Sequence, residues 1–142
     1  PQPTTTEPDD SNDPPSDASG AAVAALAKEQ LGKPYRYGSA GPDGFDNSGF
    51  LYYCYGQQGI TVPRRTGDLY RQGTAVEKTD LQPGDAVFFW NESEGNPEFA
   101  AIYVGDGLCI AARQENVPVS ELNMTYAYFE QHYVGARRYT AG

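Results

Sequence analysis

A chain of 142 residues with formal net charge −9 has room for one domain and little else. Its acidic balance would repel phosphate backbones and argues against nucleic acid as a partner. No apolar run reaches the length of a membrane span, which argues against direct membrane insertion, and no signal peptide stands at the start. Residues 1–19, PQPTTTEPDDSNDPPSDAS, hold five acidic side chains, no basic one and no core former. Such a stretch cannot bury enough apolar area to offset its ordering entropy, so a disordered acidic Pro/Thr-rich linker is expected there, with a folded domain over 20–142. An arm of this composition commonly tethers a domain outside a cell, which suggests an exported, longer chain.

Ser19 is placed to cap a helix over roughly Ala21–Leu31, ended by Gly32 and Pro34. Tyr35 to Phe45 is rich in Gly and aromatics and reads as a loop. A second helix is predicted from just after Asp46 to about Gln58, because Phe50, Leu51, Tyr53, Cys54 and Gln57 recur at helical spacing. A short third one is expected over Thr66–Gln72. From Leu81 the period changes. Strands are predicted at Asp85–Trp90, Phe99–Val104 and Leu108–Ala112, the last two joined by a Gly105-Asp106-Gly107 turn. A strand near Val117–Val119, a helix around Met124–Gln131 and a strand over Tyr133–Tyr139 complete the set. Helices first and a strand meander after them imply an α+β fold with an antiparallel sheet. Cys54 and Cys109 have no metal-ligand spacing; they either pair or lie buried as separate thiols.

The punctuation of the chain carries more. Gly32-Lys33-Pro34-Tyr35-Arg36-Tyr37-Gly38 is followed by Phe45-Asp46-Asn47-Ser48-Gly49-Phe50 and by Gly59-Ile60-Thr61-Val62-Pro63-Arg64. Then come Leu81-Gln82-Pro83-Gly84-Asp85, Ile102-Tyr103-Val104-Gly105-Asp106-Gly107, and Tyr133-Val134-Gly135-Ala136-Arg137-Arg138. In this order and spacing, over essentially all of 20–142, the segments resemble the landmarks of the NlpC-type, papain-like peptidases of the bacterial cell wall. The resemblance implies N-terminal helices packed on a central antiparallel sheet. It also implies action on the stem peptides of peptidoglycan, typically beside D-glutamate.

Family members place a nucleophilic Cys between Asp and Ser-Gly-Phe, at a helix N-terminus whose unpaired N–H groups and dipole lower the thiol pKa. A His on a facing strand takes the proton and a third polar residue orients it. The matching positions here are Asn47, Phe99 and Ala111, and the lone His132 falls elsewhere. A carboxamide has no ionisable proton to give up, and neither Phe nor Ala serves as a base. The expectation from sequence is therefore a non-catalytic pseudoenzyme, not an enzyme, that binds peptidoglycan stem peptide outside the cytoplasm. The alternatives are a protein-interaction scaffold with a filled groove, partnered by another cell-wall protein, and a peptidoglycan hydrolase with altered chemistry. No cofactor or metal is expected. The resemblance offers Tyr35, Asp46 and Ser48 as ligand-binding residues, with Arg64 as a group for peptide carboxylates. The plainer roles are a helix N-cap for Asp46, backbone satisfaction for Ser48 and a solvated charge for Arg64.

Overall fold

The computed structural model describes residues 16–140. Three helices come first: α1 (Ser16–Glu29), α2 (Asn47–Gly56) and α3 (Thr66–Arg71). They are followed by β1 (Thr74–Ala75), β2 (Ala86–Phe89), β3 (Phe99–Gly105), β4 (Leu108–Ala111), β5 (Ser120–Asn123), α4 (Ala127–Gln131) and β6 (Tyr133–Arg138). The strands form one antiparallel sheet in the order β1-β6-β2-β3-β4-β5. The α+β expectation thus holds. α1 begins at Ser16, inside the stretch expected to be linker, so Ser19 lies within the helix. Residues 1–15 of that expected linker lie outside the described residues.

Alternation along the strands sends side chains to two cores, one on each face of the sheet. Ala86, Phe88, Ala100, Ile102, Ile110 and Ala112 meet Val23 and Ala27 of α1, Phe50, Leu51, Cys54 and Tyr55 of α2, and Leu69 of α3. Val87, Phe89, Phe99, Ala101, Cys109 and Ala111 form the other core with Met124, Phe129 and Ala136. Because both faces are covered, β2 is buried at all four positions and reads as a continuous apolar run.

Two contacts lock the helical layer to the sheet, and a third ties strand to strand. The Tyr55 hydroxyl, fully buried, donates to the Gly84 carbonyl at 2.6 Å. Gly84, at φ +98°, lets the turn before β2 lie against the backbone of Gly20 in α1, where a Cβ would collide. Beside it Asp85, 1% exposed, accepts two hydrogen bonds from the Arg138 guanidinium at 2.8 and 2.9 Å and one from the Gln82 N–H at 2.9 Å. This ties the end of β6 to the start of β2.

One strand is displaced from its expected place. Val119 is buried, but its N–H donates to the Lys33 carbonyl and its carbonyl accepts from Gly32 N–H, so its backbone is bound to the end of the α1 loop. Pro118 has no N–H to give a ladder. The strand forms one residue later, at Ser120–Asn123, where the pattern is polar.

Candidate functional site

The N-terminal end of α2 is built around one carboxylate. Asp46 caps the helix: Oδ1 accepts from Gly49 N–H at 2.7 Å. Its Oδ2 accepts from Gly38 N–H at 3.0 Å, which folds the preceding loop over the helix end. The Arg64 guanidinium closes on both oxygens, Nη1 to Oδ1 at 3.0 Å and Nη2 to Oδ2 at 2.9 Å. The same Nη1 donates to Ser48 Oγ at 2.8 Å. Gly49 is required here, because a Cβ at that position would run into the Ser39 carbonyl.

Three of the expected ligand-binding residues therefore form one network, and the plainer reading of Asp46 as N-cap is correct. Its carboxylate already has four donors, and Arg64, expected to meet peptide carboxylates, is committed to Asp46 and Ser48. Tyr35 stands at the edge of the network: burial first, then the negative charges of Asp46 and Glu115, push its phenol up from the ordinary 10.0. With Gly32, Pro34, Asn116, Val117 and Pro118 it lines an open depression of ≈ 270 Å³.

Asn47, the first residue of α2, is held between two strands. Its Nδ2 donates to the carbonyls of Ala100 and Ala112, both at 3.0 Å, and its Oδ1 accepts from Ala100 N–H at 2.8 Å. The register that sets Ile102 opposite Ile110 brings Ala100 opposite Ala112. There the carboxamide acts as an inserted peptide group, carrying the link between β3 and the end of β4 where their pairing stops. Both hydrogens of the amide and its oxygen are used.

Phe99 and Ala111 are not brought to Asn47 by their side chains. They fall in the core on the other face, while their neighbours Ala100 and Ala112 face α2. Phe99 stacks on Phe89 at 5.1 Å. The Arg113 guanidinium lies over the rings of Phe99, Tyr128 and Phe129, at 4.8, 5.1 and 5.1 Å. Sequence reasoning missed Arg113, because a charged residue just after a strand looks like an ordinary solvent-facing one. Cys54 and Cys109 are free and buried, and burial pushes both thiols up to about 12. His132 packs between Trp90 and Tyr128, at 3.9 and 4.0 Å. Among the described residues no group of His, Cys, Asp or Glu side chains is arranged to hold a metal ion.

The NlpC/P60 family model matches residues 32–138. The chain is 37% identical over 114 residues to the murein DD-endopeptidase MepH of Escherichia coli, covering 78% of this chain and 42% of that protein. It is 42% identical over 112 residues to a gamma-D-glutamyl-L-lysine dipeptidyl-peptidase of Bacillus cereus, covering 77% of this chain and 33% of that one. It thus spans less than half the length of these curated relatives. A crystal structure of an NlpC/P60 family protein from Bacillus cereus superimposes with a TM-score of 0.80 at 34% identity, over 92% of this chain and 42% of that chain. These names correct the expectation that the chain is not an enzyme: relatives at this identity are endopeptidases and peptidases, which makes enzyme function the better reading. By sequence, by its papain-like α+β fold and by the ordered landmarks around α2, this chain belongs to the NlpC/P60 family.

Proposed function

We propose that this domain works on the bacterial cell wall, outside the cytoplasm, with the stem peptides of peptidoglycan as its substrate or ligand class. The observation that carries this reading is the convergence of Tyr35, Asp46, Ser48 and Arg64 at the N-terminal end of α2, beside the ≈ 270 Å³ depression. Tyr35 offers a phenol and an apolar face, and Ser48 a hydroxyl that accepts or donates. Asp46 and Arg64 hold that corner in shape. Asn47, Phe99 and Ala111 take the places that the resemblance gives to nucleophile, base and orienter. Turnover of the kind the relatives' names describe would draw on groups other than a thiolate–imidazole pair at this helix end, since both thiols are buried elsewhere and the one imidazole lies against Trp90.

The test is co-sedimentation of the full chain with insoluble peptidoglycan, followed by mass analysis of muropeptides from the same incubation. Retention on the polymer that falls in Tyr35→Ala is the expected result, and any cleaved stem peptide identifies the bond attacked. Absence of sedimentation at low salt would overturn the proposal and favour a protein-interaction role.

A further inference from the structure

Lys78 and Glu130 line one small cavity, and among the described residues neither is paired with an opposite charge. The cavity, ≈ 130 Å³, is built from four stretches of chain. Lys78 and Leu81 come from the 3-10 turn Lys78–Asp80 and the residue after it, and Tyr103 and Gly107 from β3 and the turn that follows. Met124 and Thr125 follow β5, and Glu130 belongs to α4. Leu81, Tyr103 and Met124 pack in the core on the α4 side of the sheet, so the cavity lies on the face away from α2 and Tyr35.

Each polar group there has bonding capacity to spare. The Lys78 ammonium sits over the Tyr133 ring at 4.7 Å, a contact with the ring face that leaves N–H groups to donate. The Tyr103 hydroxyl accepts from Gly107 N–H at 3.1 Å, and its own proton has no acceptor among the described residues. These two donors suit a carboxylate. Glu130, an acceptor without a cation, suits an ammonium. Leu81 and Met124, the latter 4% exposed, supply an apolar wall.

Size and sign narrow the ligand. At about 30 Å³ per water the cavity has room for about four waters, enough for a small amino acid and too little for a disaccharide. A simple anion would meet Glu130, and a simple cation would meet Lys78. A zwitterion answers both. We propose that this cavity binds a free α-amino acid with a small apolar side chain, of the size of alanine. Its carboxylate is held by Lys78 and Tyr103, its ammonium by Glu130, and its side chain lies against Leu81 and Met124. The site is separate from the Tyr35 depression and does not depend on what that depression takes.

The experiment titrates the isotopically labelled full chain with L-alanine, D-alanine, alaninamide and propionate, followed by NMR of the backbone amides. At least one alanine enantiomer should give saturable shifts at Gly107 and Thr125 and none at Tyr35 and Gly38, in the millimolar range that so few contacts allow. Alaninamide lacks the carboxylate and propionate the ammonium. Each should bind at least about tenfold more weakly, the scale of one charge-assisted hydrogen bond. Lys78→Met and Glu130→Gln, both at exposed positions, should each weaken alanine by a similar factor. Absence of saturable shifts with both enantiomers would overturn the proposal, as would propionate or alaninamide binding as tightly as alanine. Unchanged alanine affinity in either variant, or shifts centred on Tyr35 instead, would overturn it too. The comparison of ligands on the wild type decides the matter even if a variant fails to fold.

Discussion

Replacing Asn47 with Ala removes the one group, among the described residues, that joins α2 to both β3 and the end of β4 by side-chain hydrogen bonds. Three bonds are lost: two donated to the carbonyls of Ala100 and Ala112 and one accepted from Ala100 N–H. Both alanines are fully buried, so the freed N–H and carbonyls are left without a partner in the protein. A buried polar group left unsatisfied costs roughly 1–3 kcal/mol, with carbonyls and inward-reaching water at the low end, so the variant should lose about 2–4 kcal/mol. For a domain of this size that lowers the melting temperature by roughly 6–20 °C. Urea unfolding of wild type and variant, with slopes compared, measures the difference directly. A second variant adds a sign. In Asn47→Asp the donating nitrogen becomes an oxygen facing two carbonyls, so the native state favours the protonated carboxyl and raises its pKa. The stability of this variant should then be greatest below the unfolded carboxyl value of about 3.9 and be lost as pH rises through the folded value. If Asn47→Ala stays within about 0.5 kcal/mol of wild type, the range of ordinary surface changes, the inserted-amide argument is wrong.

Asp85→Ala leaves the Arg138 guanidinium without its buried acceptor and should cost about 3–5 kcal/mol by urea unfolding, far more than removal of the exposed Asp68–Arg71 pair. Gly49→Ala should fold poorly or not at all, because its Cβ meets the Ser39 carbonyl and Asp46 Oδ1; circular dichroism of the purified variant checks this. Cys54 and Cys109 should resist iodoacetamide at pH 8 in the native state and react in urea, since both are buried with thiols pushed up to about 12. Raised thiol values favour the neutral form in the native state. Their contribution is complete below the ordinary 9.0 and should be lost as pH climbs from there towards about 12, visible as alkaline destabilisation in Cys-containing protein and reduced in Cys54→Ala/Cys109→Ala.

Local signals made much of this fold legible before any coordinates. The start of α2 follows from Asp46 with Gly49-Phe50, a capping residue ahead of a helical apolar period. β2, β3 and β4 follow from apolar runs of strand length and the Gly105–Gly107 turn. β5 escaped because the apolar residues nearest to it, Val117 and Val119, serve as anchors of a loop, while the strand itself is Ser-Glu-Leu-Asn. The two residues of β1 carry no periodicity at all. At the site, Asp46, Ser48 and Arg64 stand out in the sequence by motif, whereas their mutual hydrogen bonds span 16 and 18 residues and carry no local signal. The Asn47 bonds reach across 53 and 65 residues of sequence, so a reading by position registers only a carboxamide where a thiol was expected. Arg113 acquires meaning only when Phe99, Tyr128 and Phe129 are folded around it.

The two margins of the sheet differ from its interior in a way that bears on behaviour at high concentration. One margin is β1, two residues long; the other is β5, four residues with Glu121 facing solvent. An exposed strand recruits foreign chains when it offers a long, flat, uncharged row of backbone groups. Neither margin does: the first gives a visitor almost nothing to pair with, and the second sets a carboxylate in its path. Concentrated solutions should therefore stay clear of fibrous association through strand addition, with the aggregation-prone β2 shielded at the centre of the sheet.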